Sequence, residues 1–430
     1  MLIGFSEVNI TPEPGYPLGG YIERYLRKKR ATGKLNDIYA RGIYLSDGVN
    51  EYIIISAEVL LFDNSFVKKA REEISKVVGV PEQHIMLVAT HTHSAPETSL
   101  EILLFRFFYT QEDTQLITKY NEFLIKRLID TARNAKRNAT EASLLVGRTF
   151  VKDACKNRVD PTLETDEEVV ILMDSHKRGA IISYTCHPTV LGATNTLYSG
   201  DFLSYTAERI KDCVAKDFIP VFLVGAAGDQ STRFVRKNQT PDEAKRIGSL
   251  IAGKICEKIA ELEPLVVEEI RFLRKIIKLP RRDLAEEKFK EKLVTQMKKI
   301  EEELDKVTDK GVKRKLSQDL LTANLLLEIY DDFDEYLNKL PKEVDFEVCY
   351  LILDDIGLVF IPAELFCKYG LQIKRSLNLK YVIVAGYANG YFGYIPTEEA
   401  YKKFDYESLM SIFKKGVGDI LVREIIEAIK

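Results

Sequence analysis

The chain has 430 residues, with 62 Lys and Arg against 65 Asp and Glu and a formal charge of −3. A balance so near zero excludes a general nucleic-acid binder, which carries a basic excess or stripe. Hydrophobic residues at 46% and charged residues at 30% allow a large buried core and exclude global disorder. No apolar run approaches the ~20 residues that span a bilayer; the best, 349–361, is interrupted by Asp354 and Asp355.

Met1 is followed by LIGFSEVNITPEPG, with no basic stretch and no long apolar run. The expectation is a chain without a secretory leader, residing in the cytoplasm. Residues 1–270 alternate short apolar runs with amphipathic helical patterns, which predicts an α/β fold of mixed sheets flanked by helices. Strands are predicted at 38–46, 51–61, 85–90, 144–150, 168–174, 179–185 and 219–225. Helical spacing marks Ser65–Val78, Thr118–Lys136 and Tyr205–Ala215, and Pro241 opens another helix that runs to about Leu262.

The stretch 282–340 differs in kind. It is rich in Lys, Glu, Leu and Asp and has no proline. Leu293, Met297, Ile300, Leu304 and Val307 recur at helical spacing until Asp309-Lys310-Gly311 breaks the pattern. A second helix follows to about Leu340. The pattern predicts an α-helical hairpin inserted into a single domain spanning 1–430. It either covers a site, packs against a second copy in a homo-oligomer, or is a solvated structural insertion. Strand character returns at 346–362, read as two strands joined by Asp-Asp-Ile-Gly, and at 379–386. The cysteines at 155, 186, 213, 256, 349 and 367 form no CxxC pair, which predicts reduced thiols.

There are five histidines. His91 and His93 lie in ATHTHSAPE at a predicted strand exit, and His187 follows another strand in AIISYTCHPTVLG. Ligands bind at such exits in open α/β sheets, and imidazoles there suit zinc; the same placement also fits partly buried histidines satisfied by their neighbours. His84 and His176 sit in turns and read as solvated. VFLVGAAGDQSTR (221–233) runs a strand into a glycine-rich turn with Asp229, Ser231 and Thr232, either a ligand-approach loop or a tight turn. Glu364 in IPAELFCKYG follows a strand where a helix should start, so it either favours the helix N-terminus or supplies a metal ligand. Tyrosines crowd 385–407, for which aromatic packing is the ordinary reading.

These segments, in this order, resemble the catalytic domain of the neutral/alkaline non-lysosomal ceramidase family. The resemblance runs through GFSEVNITPEPGYPLGGY (4–21), ARGIYLSDG (40–48), SAEVLLFD (56–63), ATHTHSAPE (89–97), NRVDPT (157–162), CHPTVLG (186–192), SGDFLSY (199–205) and GAAGDQS (225–231). It resumes at IPAELF (361–366) and AGYANGYFGYIPTEEAYKKFDYE (385–407). It leaves out 270–345 and is most specific at ATHTHS. It departs where AAGDQSTR stands in place of the family's NxGDxSPN block.

The resemblance implies a Zn²⁺ held by His91, His187, Glu364 and Tyr394. It further implies His93 at the reacting carbonyl, Arg158 and Tyr406 as site residues, and a catalytic contribution from Ser231. The expected function is a zinc hydrolase that cleaves the C–N bond of a small-molecule N-acyl substrate with metal-activated water. An ester, lactone or carbohydrate acyl group offers the same carbonyl, and a non-catalytic binding protein is the alternative of a different class. Ser231 is expected to orient water rather than attack, because no imidazole is spare to act as its base. Asp229 is read either as a partner orienting a histidine or as a turn residue.

Overall fold

The computed structural model describes residues 1–429. It is a mixed α/β structure built on three sheets. In the first, the strands run in the order Ile85–Ala89, Glu51–Ala57, Tyr39–Ser46, Leu2–Asn9, with Thr140–Glu141 at the edge. In the second the order is Ile219–Val224, Gly179–Tyr184, Glu168–Asp174, Leu144–Phe150, Glu263–Leu265. The third holds Ile270–Pro280, Glu343–Leu353, Ile356–Phe360 and Tyr381–Ala385. Their inner faces share one apolar core: Ile3, Phe5, Ile43 and Ile54 from the first, Val170, Leu172 and Ile181 from the second, Leu351, Leu358 and Ile383 from the third. Helices Asn64–Val78 and Gln111–Arg137 cover the outer face of the first sheet, and Phe202–Cys213 and Pro241–Ile259 that of the second. Helices Cys367–Ser376 and Val417–Ile429 cover the third.

Each sheet contains one parallel pair, and this positions the site. Glu51–Ala57 runs parallel to Ile85–Ala89, Gly179–Tyr184 to Ile219–Val224, and Ile356–Phe360 to Tyr381–Ala385. Such pairs need crossover connections, and ligands bind beyond their carboxyl ends. Beyond these six strand ends lie Leu60, His91 and His93, His187, Asp229 and Ser231, Glu364, and Tyr387, Tyr391 and Tyr394.

The predicted strands and helices of 38–260 all form, to within a few residues at most ends. Two of the longer strands were not anticipated, nor were the short ones of two or three residues. Ile270–Pro280 lies at a sheet edge, its exposed and buried positions mixed with Arg and Lys, so it lacks the apolar run of a central strand. Leu2–Asn9 carries Ser6, Glu7 and Asn9 among its apolar residues.

The 282–340 segment is helical, but its second arm is two helices: Phe289–Leu304 is followed by Lys310–Glu328 and Tyr330–Lys339. The break falls at Ile329, whose φ of −100° and ψ of 23° leave the helical region while its side chain stays buried. The strands on either side of the insertion pair with each other from Ile270↔Leu353 to Pro280↔Glu343, so both ends return to one sheet. Leu293, Leu326, Ile329 and Phe333 pack against Ile22, Tyr25, Leu60 and Phe105, over the exits of the first sheet.

The expectation of free thiols is corrected. Cys155–Cys186 and Cys213–Cys256 are disulfides with Cα atoms 6.0 and 6.3 Å apart, while Cys349 and Cys367 are free and buried. Partners separated by 31 and 43 residues meet only through the fold, which spacing along the chain does not reveal. Among the described residues no helix is long and apolar enough to cross a membrane.

Candidate active site

His91 follows the strand Ile85–Ala89 with φ +63°, in the left-handed region that costs a non-glycine residue about 1–2 kcal/mol. A backbone bond from His91 N to Val59 O and a side-chain bond from Nδ1 to Leu60 O (2.7 Å) hold it there. Its ring stacks on Tyr387, with centroids 4.1 Å apart. His187 is fully buried, its Nδ1 2.6 Å from Ala227 O and 3.1 Å from Gln230 O. His93 turns its ring into the same space, 5.1 Å from His91 and 6.0 Å from His187 between centroids. That approach requires Gly20, where a Cβ would lie 2.4 Å from His93 Nδ1.

The three imidazoles bring their ligand nitrogens within 4.8 Å of one another. Burial pulls the His91 pKa down to about 3 and holds His93 and His187 well below the usual imidazole value, so all three rings are neutral. A carbonyl can only accept, so the Nδ1 atoms of His91 and His187 carry the hydrogens and their Nε2 lone pairs face inward. His187 Nε2 and both ring nitrogens of His93 are buried with no hydrogen-bond partner among the described residues. Oε2 of Glu364 lies 3.0 Å from His187 Nε2 and 3.5 Å from His91 Nε2. Buried lone pairs that converge on a carboxylate suit a cation, and a mixed N/O set is a zinc-type donor set.

Glu364 sits in the short strand Glu364–Leu365, beside Tyr394–Ile395, rather than at the start of a helix; the helix begins at Cys367. Its Oε1 accepts from Tyr391 and its Oε2 from Tyr387 at 3.4 Å. Tyr394 lies close by, but its hydroxyl accepts from Arg158 Nη2 at 3.0 Å. Arg158 also donates from Nε to Glu407 at 2.7 Å. Burial opposes the Arg158 charge, yet Tyr394 and Glu407 hold it well above the usual guanidinium value. Tyr406 packs edge-on to Tyr394 at 5.7 Å. Ser231 Oγ accepts from Arg233 N at 3.2 Å, and among the described residues no imidazole bonds to it.

Asp229 braces the loop. Its carboxylate accepts from Asn157 (2.6 Å), from Cys367 N (2.8 Å) and from the Gln230 side chain (3.1 Å), not from a histidine ring. His84 is half-buried, its Nδ1 3.1 Å from Glu51 O and its ring against Tyr52 and Phe272, whereas His176 is exposed. The sequence reading missed Tyr387 and Tyr391, which hold Glu364, because aromatic packing was the ordinary account of that segment. It also missed Arg24, fully buried, which donates to the carbonyls of Gly19 (3.1 Å), Gly192 (3.1 Å), Ala193 (3.2 Å), Asn195 (2.9 Å) and His93. An arginine in an exposed-looking IERYLRKKR segment gives no sign of this.

Two cavities meet at His93, Tyr394 and Tyr406. One, of about 360 Å³, has mainly apolar walls, including Leu60, Ile102, Leu104, Leu326, Ile329 and Phe333. The other, of about 220 Å³, is more polar, with Arg158, Arg233, Arg236 and Arg314 on its wall.

Two solved structures share the fold. One is described as a ceramidase complexed with C2: TM-score 0.76, 18% identity, covering 99% of this chain and 74% of that one. The other is the neutral ceramidase of Pseudomonas aeruginosa: TM-score 0.75, 17% identity, covering 99% and 73%. No curated protein matches the sequence. The family model for neutral/alkaline non-lysosomal ceramidase, N-terminal, matches residues 1–246, the segment that supplies His91, His93, Arg158, His187 and Ser231. With the histidine cluster inside that match and the fold shared over nearly its full length, the chain belongs to the neutral/alkaline non-lysosomal ceramidase family.

Proposed function

We propose that the chain is a single-domain zinc hydrolase that cleaves the amide bond of an N-acylated amphiphile. The observation that carries this reading is the convergence of His91, His93, His187 and Glu364, of which His91, His93 and Glu364 line an apolar cavity. His91, His187 and Glu364 would hold the ion, with Tyr394 beside them. When bound, zinc supplies a Lewis acid and a water acidic enough to act near neutral pH.

The protein's own groups do the rest. Leu60, Leu104, Phe333 and their neighbours exclude water and seat the acyl chain. His93 has both ring nitrogens unpartnered and lines both cavities, so it can donate to the carbonyl oxygen as negative charge develops there. Arg158, fixed by Glu407 and Tyr394, and Tyr406 add positive potential and a hydroxyl at the same point. Removing one such donor costs a rate factor of about 10²–10³. Ser231 orients water or substrate in this reading. The reaction adds the elements of water across the C–N bond, giving a carboxylic acid and an amine.

The test is release of dodecanoate from N-dodecanoylethanolamine and from dodecanoyl ethyl ester by zinc-loaded protein. Amide cleavage that is lost in His187→Ala is expected. Cleavage of the ester alone would move the assignment to an esterase, and cleavage of neither would remove the hydrolase reading.

A further inference from the structure

The polar cavity gathers positive charge on its wall. Arg158, Arg233, Arg236 and Arg314 all line it. Among the described residues only Arg158 of these has a carboxylate partner, Glu407. Arg233 donates to the Gln318 side chain (2.6 Å) and the Arg158 carbonyl (3.4 Å). Arg236 donates to Thr189 O (2.7 Å) and Thr232 Oγ1 (3.1 Å), and Arg314 donates to the Gln239 side chain. These partners are neutral. The one acidic side chain lining the cavity is the exposed Glu23; behind the wall Asp319 and Glu407 lie near Arg233 and Asp201 near Arg236, without pairing with them among the described residues.

Like charges gathered in a half-buried cavity repel, and each has lost part of its hydration. Burial and the neighbouring Arg158 pull the Arg233 pKa down to about 10, still charged at neutral pH, and burial lowers Arg236 as well. An anion placed among them relieves both costs. Guanidinium forks match the planar oxygens of carboxylate and phosphate.

The insertion builds both cavities with one stretch of chain. Arg314, Ser317, Gln318 and Leu321 repeat at i, i+3, i+4 and i+7 on one face of the helix Lys310–Glu328 and wall the cationic cavity. Leu326, Ile329 and Phe333, further along, wall the apolar one. A molecule whose carbonyl rests at His93 and Tyr406 therefore has an apolar pocket on one side and a cationic pocket on the other.

We propose that the substrate is a single-chain amphiphile whose polar head carries an anionic oxyacid group, carboxylate or phosphate, seated between Arg233, Arg236 and Arg314. An N-acyl amino acid and an N-acyl aminoalkyl phosphate both have this chemistry. The proposal deepens the amidase reading and rests on it for the position of the scissile carbonyl.

The test measures binding apart from turnover. Calorimetric titration of the zinc-loaded chain uses three probes: N-dodecanoylglycine, N-dodecanoylphosphoethanolamine and the neutral N-dodecanoylglycinamide. At least one anionic probe is expected to bind more than about tenfold tighter than the neutral one; which of the two does so identifies the head group. Arg314 is half-exposed, so Arg314→Gln tests the site without disturbing the core, and Arg236→Gln is the second variant. In each the preference should fall below about threefold. Equal binding of the three probes overturns the proposal. So does a preference that both variants retain, since the anion would then be held by the metal. Dodecanoate release, followed in the same samples, separates the two readings. Anion-selective binding without release removes the amidase and keeps the anion site. Release from the neutral amide without anion preference does the reverse.

Discussion

Oε2 of Glu364 stands 3.0 Å from Nε2 of His187. The His187 hydrogen is on Nδ1, facing Ala227 O, and burial holds the ring well below the usual imidazole pKa. A cation between a carboxylate oxygen and an imidazole lone pair is attracted by both. Zinc should stabilise the chain by about 2.7 kcal/mol at a hundredfold excess over Kd. Glu364→Gln should reverse the pattern: its amide can donate to His187, so the metal-free variant is at least as stable as wild type, while zinc-induced stabilisation falls below about 1 kcal/mol. Differential scanning calorimetry with and without zinc checks both arms. A metal-free variant less stable than wild type by more than about 1 kcal/mol would show that the Glu364–His187 contact is favourable without an ion.

Arg24 reaches five backbone carbonyls drawn from three loops, those of Gly19, His93 and the 192–195 segment, with no carboxylate among its hydrogen-bond partners. It ties the loop of His91 and His93 to the loop after His187. Arg24→Met keeps most of the volume and orphans the carbonyls. An unsatisfied buried polar group costs about 1–3 kcal/mol, so the expected loss is about 3 kcal/mol or more of unfolding free energy. His93 should lose its position with it. The zinc-loaded variant is expected to lose kcat more than affinity for N-dodecanoylglycinamide, read from steady-state kinetics at a temperature where it stays folded. A loss of stability with kcat intact would make Arg24 a purely structural brace.

The residues that converge were legible in part because strand exits are local. IMLVAT before His91 and AIISYT before His187 announce buried strands, and a strand end fixes where the next residue goes. The partnership among the strand ends was not legible. Nothing in the sequence says that the parallel pairs of three sheets point one way, which is what brings Glu364 to His187. The resemblance to known relatives supplied that link. Side-chain partners chosen by tertiary packing, such as Tyr391 on Glu364 or Arg314 across from Arg236, left no periodic signal. The insertion was legible as helix because its apolar spacing is strong. The break at Ile329 was not, since Glu328, Ile329 and Tyr330 carry neither glycine nor proline.

The Cys155–Cys186 disulfide lies one residue before His187, and Cys155 lies three before Arg158. It closes a loop across the second sheet that joins the Arg158 segment to His187. Thiol titration of the denatured, unreduced chain should find two free thiols, Cys349 and Cys367, and six after reduction. By loop entropy a bridge over 31 residues contributes about 3–4 kcal/mol. Cys155→Ser/Cys186→Ser should lower stability by an amount of that order in urea unfolding. Six thiols without reductant would return the cysteines to the reduced state expected from their spacing.

Asp63 provides a pH signature with a defined sign. It accepts hydrogen bonds from Ser99 Oγ (2.7 Å) and Leu100 N (2.6 Å), yet burial pushes its carboxyl up to about 7, with Glu101 and Glu97 adding to the effect. The folded chain therefore holds this proton more tightly than the unfolded chain does. The contribution is full below about pH 4 and is lost as pH rises through about 7. Other groups act in the same range. Asp201, Asp229 and Asp405, each pushed up to about 6 chiefly by burial, have the same sign. His91, pulled down to about 3, has the opposite sign: its neutral folded form is penalised below the unfolded imidazole pKa and released above it. A difference between wild type and Asp63→Asn cancels these contributions and leaves Asp63 alone. Asparagine does not ionise, so the variant should gain on wild type by a few kcal/mol between pH 4.5 and 8, each tenfold change in proton affinity being worth about 1.4 kcal/mol. Urea unfolding at pH 4.5, 6 and 8 measures it. Parallel stability curves for the two proteins would mean that Asp63 titrates normally and that Ser99 and Leu100 compensate its burial.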